Sequence, residues 1–239
     1  MLTRNLILAL ATASLISAHG KVAVVTGDLG GNGTALGIKG AVVPGAGPNY
    51  ETEVDTTVFW SKDIATDDDI GYTEDGNGNN KLSDLTQAMA LSGSTLPQVS
   101  SGGSVNGTFH IVTSDGAGPL QALIDDSATG KWSTAKSATV STQVPGTNGN
   151  VVTKRSLFMR ALIKMGIITA RATNVNQDHA FAVDIPSGTS CTGTINGISG
   201  LCLVKVSNNN ADGPFGGVFA VQMPNSTTTR VKRSMKFSS

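Results

Sequence analysis

Apolar and polar positions along this chain alternate in short bursts, and the bursts are separated by Gly, Pro and Asn. Residues 21–26 (KVAVVT), 56–60 (TTVFW), 107–113 (GTFHIVT), 135–144, 181–185, 201–206 and 218–223 are each rich in β-branched or aromatic side chains, and 120–125 (LQALID) is a short, mostly apolar run. Short runs of that kind, bounded by turn residues, read as β-strands. Helical spacing is confined to residues 81–91, which predict a short helix, and to a basic, apolar stretch over 153–172. In the latter, Ser156 can cap a helix, but no single apolar stripe follows it; the stretch reads as a peripheral helix or a poorly ordered insert. Many short strands at regular spacing predict an all-β fold, an immunoglobulin-like or fibronectin-like β-sandwich with long loops and one or two short helices.

One hairpin is legible in detail. Asn196-Gly197 is the preferred centre of a type I′ turn. Counting outward pairs Ile195 with Ile198, Thr194 with Ser199, and Cys191 with Cys202. These are the two cysteines of the chain. Opposed strand residues lie at a separation that a disulfide bridges, so a Cys191–Cys202 bond is expected. A redox or metal pair would call for a CxxC spacing, which is absent.

The first residues change the picture. Arg4, the apolar run 6–16 and the small pair Ser17-Ala18 have the layout of a secretory signal peptide. The expected organisation is a signal over residues 1–18, a single β-sandwich domain over 19–224 and a polar, frayed tail over 225–239. A secreted, extracellular and monomeric protein follows, with the disulfide suited to that compartment. The signal run is too short to span a bilayer and no later run is apolar enough. Lys+Arg 17 balances Asp+Glu 17 and only 14% of residues are charged. No bulk field then draws the chain to nucleic acid or anionic lipid. A neutral surface rich in Gly, Ser, Thr and Asn suits an uncharged polysaccharide or cell-wall surface as partner. Sequons at Asn32, Asn106 and Asn225 offer glycosylation sites. Asp75-Gly-Asn77-Gly-Asn79 begins like a calcium loop but lacks its later glycine and glutamate, and reads as solvated.

Cleavage after Ala18 makes His19 the first residue. Its α-amine and Nδ1 can then close a six-membered chelate ring around a metal ion. An α-amine titrates near 8, about two units or more below a lysine amine, so a metal displaces its proton at mild pH. His110, on a predicted strand, is the best third ligand, and His179 in Gln177-Asp178-His179 is a reserve ligand on a loop. Three nitrogens with open positions suit copper. A satisfied strand histidine is the plainer reading of His110 taken alone.

Several segments resemble the fungal appressorium-associated secreted virulence-factor family. They are His19-Gly20, DTTVF (55–59), STLPQVSSGGSVNGTFHIVTSDGAGP (94–119), IPSGTSCTG (185–193) and NNADGPFGGVFAVQM (209–223). The resemblance implies extracellular or infection-structure expression and a part in penetrating a host surface. Val218 stands where related chains often carry cysteine, and the 153–172 stretch is foreign to the pattern. The His19 arrangement is itself similar to the histidine brace of lytic polysaccharide monooxygenases, secreted copper β-sandwiches that cut polysaccharide oxidatively. That likeness implies an aromatic near the axial face of the metal, here Phe215 or Phe219, with Gln222 as a polar neighbour. Phe215 and Phe219 share one strand face and Gln222 the other, so all three meet only if Gly216-Gly217 forms a bulge. The expected function is an oxidoreductase on wall polysaccharide; the alternative is a non-catalytic effector that binds wall or copper.

Overall fold

The computed structural model describes residues 20–40, 55–73, 78–151, 165, 177–211 and 213–224. The expected signal peptide, His19, most of the 153–172 stretch, the Asp75-Gly-Asn77 segment and the 225–239 tail lie outside the described residues.

Twelve strands and one α-helix carry the described chain. In order they are β1 (Gly20–Gly27), β2 (Gly30–Gly33), β3 (Thr57–Val58), β4 (Tyr72–Thr73), β5 (Gly78–Asn79), α1 (Leu85–Ser92), β6 (Ser104–Ile111), β7 (Leu120–Asp125), β8 (Lys136–Thr142), β9 (Gln177–Asp184), β10 (Gly193–Ile195), β11 (Ile198–Asn208) and β12 (Phe215–Gln222). All pairings between them are antiparallel, along the path β2-β1-β6-β9-β8-β7-β11-β12-β3-β4-β5, with β10 on β11. The result is one curled sheet. β8 turns the corner: Lys136, Ser137 and Ala138 pair with β7, and Thr139, Val140 and Thr142 with β9.

Curling closes the sheet over one apolar core. Val22 and Val25 of β1, Phe109 and Ile111 of β6 and Phe181 and Val183 of β9 meet Ile124 of β7, Val204 of β11 and Phe219 of β12. A second cluster covers the other face of the β7-β11-β12 portion, where Leu203 and Val218 pack beneath Leu85 and Ala88 of α1, Phe59 and Trp132. Strand β11 is therefore buried on both sides, which is why it reads as a near-continuous apolar run. Lys205 interrupts that run and is fully buried.

Local chemistry accounts for the element ends. The helix expected at 81–91 forms as a 3-10 turn (Leu82–Asp84) leading into α1, and the Lys81 N–H donates to Asp84 Oδ2 at 2.7 Å across its start. The Asn196-Gly197 turn has φ of 50° and 81°, as type I′ requires. Ile195 opposes Ile198 and Thr194 opposes Ser199, as counted; then the register slips so that Gly193 opposes Leu201. Gly200 absorbs the slip at φ 75°. The Cys191–Cys202 disulfide forms just beyond, with Cα atoms 4.9 Å apart.

Gly216-Gly217 does not make a bulge. The β11–β12 register runs unbroken from Leu201↔Gln222 to Ser207↔Gly216. The glycines serve close approach instead. A Cβ at Gly216 would collide with the Val206 carbonyl, and one at Gly217 would lie 2.7 Å from Ala35 Cβ and 3.3 Å from Val22 Cβ.

Candidate metal centre

Three residues from three strands form one row. Lys21 of β1 registers with His110 of β6, and His110 with Asp178 of β9. Phe109 and Ile111 point into the core, so alternation turns His110 to the other face of β6. His110 is nonetheless only 8% exposed. Its Nδ1 lies 2.7 Å from Asp178 Oδ1. An ionised carboxylate only accepts, so Nδ1 carries the proton and donates. In the neutral imidazole the lone pair is then on Nε2, which is buried and has no hydrogen-bond partner. A carboxylate that fixes the tautomer of an imidazole and leaves the far nitrogen basic is the usual support for a metal-binding histidine.

Asp55 stands beside the row. Lys21 Nζ lies 3.9 Å from Asp55 Oδ2, and both residues are buried. Burial lowers the Lys21 ammonium below the usual lysine range, against the attraction of Asp55 and Asp178. Asp55 Oδ1 accepts from the Lys39 N–H at 2.9 Å. Gly20, at the head of the row, is tightly enclosed: a side chain there would strike Gly116 O and the Phe109 ring.

The other sequence-derived candidates fall elsewhere. His179 is not on a loop but within β9, opposite Phe109, because the strand begins at Gln177. Its Nε2 is also buried without a partner, and burial pushes its pKa down, opposed by Asp178 and reinforced by His110. Phe219 lies in the core with Phe109, on the face of β6 opposite to His110. Phe215 is buried and pairs with Val58. Gln222 faces away from Phe219; its Oε1 accepts from Gln98 Nε2 at 2.9 Å and its Nε2 donates to Ser199 O at 2.8 Å. The structure thus brings Lys21 and Asp178 to His110, with Asp55 beside Lys21, none of them singled out by the sequence, and does not bring Phe215, Phe219 and Gln222. Extending the alternation of residues 181–185 back to Gln177 would have found Asp178. Among the described residues no three His, Cys, Asp or Glu side chains cluster to hold a metal ion, so a site at His110 needs ligands from outside them.

Comparison with known proteins defines the class. The chain belongs to the Egh16-like virulence factor family, whose pattern matches residues 17–216. It is 34% identical over 223 residues, 92% of this chain and 78% of the relative, to the appressoria-specific virulence factor GAS1 of Pyricularia oryzae. It is 33% identical over 126 residues to GAS2 of the same fungus, covering 52% of this chain and 37% of that protein. No solved structure matches. Among the described residues no helix is long and apolar enough to cross a membrane.

Proposed function

We propose that this protein is a secreted, virulence-associated copper protein of the fungal surface that acts on wall polysaccharide, with His19 and His110 as the copper ligands and a sandwich-like closure of the curled sheet as scaffold. The observation that carries the reading is the buried, unpartnered Nε2 of His110 behind an Nδ1 held by Asp178. An orphaned buried nitrogen costs about 1–3 kcal/mol, and a metal ion removes that cost. Connectivity supports the partner. Gly20 registers with Ile111, the neighbour of His110. His19 is bonded to Gly20, and one residue spans about 3.8 Å. Signal cleavage after Ala18 would give His19 a free α-amine, the second of its two donor nitrogens.

Copper bound by these nitrogens would supply one-electron redox chemistry at an open coordination position. The residues of the chain have separate tasks. Asp178 holds the His110 proton at Nδ1 and orients the ring. The Lys21 ammonium moderates the negative charge of Asp55 and Asp178. Gly20 lets the start of β1 lie against the Phe109 ring.

The placement of Phe219 in the core, away from His110, favours a second reading in which copper is held without turnover. Copper titration of the secreted protein, followed by spin resonance, tests the site. A three-nitrogen axial signal that requires His19 as the first residue and disappears in His110→Ala is expected. A mature chain starting elsewhere, or unchanged affinity in His110→Ala, refutes it. Oxidised sugars released from chitin, cellulose or pectin with ascorbate separate the catalytic reading from the binding one.

A further inference from the structure

A second polar feature lies on the part of the molecule built from the loop after β3, strand β7 and the asparagine-rich loops. Lys62, Asp63, Gln121, Asn148, Asn150 and Asn209 line a cleft of about 630 Å³. A neighbouring depression of about 400 Å³ shares Asp63 and Gln121 and continues over Ala122, Ser137 and Val140. The volume is in the range of small-molecule sites. Four of the six side chains are neutral amides, and the two charges are of opposite sign.

The amides are held by built structure. Asn208 donates through Nδ2 to Ala117 O at 2.8 Å and accepts from the Phe215 N–H at 2.9 Å. Asn210 donates to Asp115 O at 2.8 Å. Asn209, fixed between these two buried anchors, lines the cleft. Its Oδ1 is buried and receives no hydrogen bond. On the facing loop, Thr147 and Asn150 exchange backbone bonds of 2.8 and 2.9 Å across Asn148-Gly149, which sit at φ 50° and 77°. That is a type I′ turn, and it presents Asn148 and Asn150 rigidly. The loops touch: a Cβ at Gly149 would lie 2.5 Å from the Asn210 Cβ.

An aromatic pair stands nearby. Trp60 is 68% exposed and Tyr72 37% exposed, with ring centroids 6.4 Å apart. Trp60 is two residues before Lys62, the first residue of the cleft, and its N–H is tied to Asp69 Oδ2 at 3.3 Å. Two large exposed rings in contact form an apolar patch beside the polar cleft.

We infer that the amide cleft and the Trp60–Tyr72 pair form a docking surface for a neutral polysaccharide strand. Amides both donate and accept, so they match arrays of sugar hydroxyls. Flat rings cover the apolar C–H faces of pyranose units. The near-cancelling charges of Lys62 and Asp63 disfavour a polyanion. The inference shares with the proposed function only the choice of wall polysaccharide as partner and does not depend on copper.

The test measures binding of the full secreted chain to chitin, β-1,3-glucan, cellulose and the polyanion pectin, in EDTA, with Trp60→Ala, Trp60→Phe, Asn150→Ala and the control Leu91→Ala beside the parent. Chitin and β-1,3-glucan represent a fungal source and cellulose a plant one. We expect saturable binding to at least one neutral polymer and weaker binding to pectin. Trp60→Ala should weaken it tenfold or more, Trp60→Phe should retain most of it, and Asn150→Ala should weaken it about fivefold, as loss of one hydrogen bond implies. Leu91→Ala, at an exposed position of α1 away from both sites, should bind as the parent does. No neutral binding, preference for pectin, or parental binding by both Trp60→Ala and Asn150→Ala overturns the inference. Equal loss of binding in Leu91→Ala shows the effects to be non-specific and also overturns it. Circular dichroism confirms that each variant is folded.

Discussion

Two buried lysines in this sheet live in opposite circumstances. Lys205, in the middle of β11, is enclosed on all sides. Its ammonium donates to the carbonyls of Asp67 and Asp69 at 3.2 and 3.4 Å and lies 3.6 Å from Asp69 Oδ1. It sits 4.5 Å from the centroid of the Phe59 ring and 5.3 Å from that of Trp132. Lys21, at the head of β1, has a carboxylate only at 3.9 Å, and beside it a histidine keeps an unpaired nitrogen. Burial pushes both lysines below their ordinary range against nearby carboxylates. The difference is completion. Around Lys205 the polar groups satisfy one another, which is architecture. Around Lys21 and His110 two buried atoms, Asp55 Oδ2 and His110 Nε2, are left without hydrogen bonds, and that shortfall marks a place for a ligand.

The strongest way to break the contrast is at Lys205. Lys205→Ala removes the cation facing Asp69 and the donor to the Asp67 carbonyl, and should cost about 3–5 kcal/mol, read from urea denaturation. A loss below about 1 kcal/mol would show the cage to be loosely built. Asp125 gives the next largest effect. Its carboxylate accepts from the Ser127 N–H and Oγ at 2.9 and 2.6 Å and from the Thr129 and Gly130 N–H groups at 2.8 Å each. Burial works to raise its pKa, but these bonds together outweigh it and hold the carboxyl below the usual range. The folded state therefore binds its proton less readily than the unfolded one. The stabilisation is complete above about pH 3.9 and is lost as pH falls from there through the folded value. Asp125→Ala should cost about 2–4 kcal/mol at pH 7, and Asp125→Asn should lack this acid step in its stability profile.

The ligand side of the comparison predicts the reverse balance. His110→Ala should change stability by about 1 kcal/mol or less yet abolish tight copper binding, measured by calorimetry. Asp178→Asn should weaken copper about 10–100-fold by releasing the ring. An Asp178→Asn protein with parental copper affinity would remove the carboxylate from the site. The smallest effect belongs to His179. Burial chiefly disfavours its charged form, so its stabilisation is present above about pH 6.5 and declines as pH falls through the folded value. Urea midpoints at pH 7 and 5 should differ less in His179→Gln than in the parent.

Much of the fold was written in side-chain pattern. The β-branched and apolar runs located β1, β6, β7, β8, β11 and β12, and Asn196-Gly197 located the hairpin with its disulfide. Pattern failed where strands carry little side chain. Gly30–Gly33 and Gly78–Asn79 are strands because neighbours offer ladder partners, a tertiary cause. Gly216-Gly217 looked like a bulge because a glycine pair permits either irregularity or crowding, and the neighbouring strand decides which. At the site, His110 was legible as a lone strand histidine. Its orientation by Asp178 was not, because that contact joins residues 68 apart in sequence. The 177–179 segment is polar enough to read as a loop until strand pairing claims it.

The corner strand β8 has a consequence for how the molecule comes apart. Most of its side chains face solvent, and it is held chiefly by ladders to β7 at one end and β9 at the other. It works like a hasp between two leaves: neither leaf can swing open while the hasp is shut. Amide exchange along this well-wetted segment should therefore run nearly as slowly as in the interior, and heat should melt both leaves in one step.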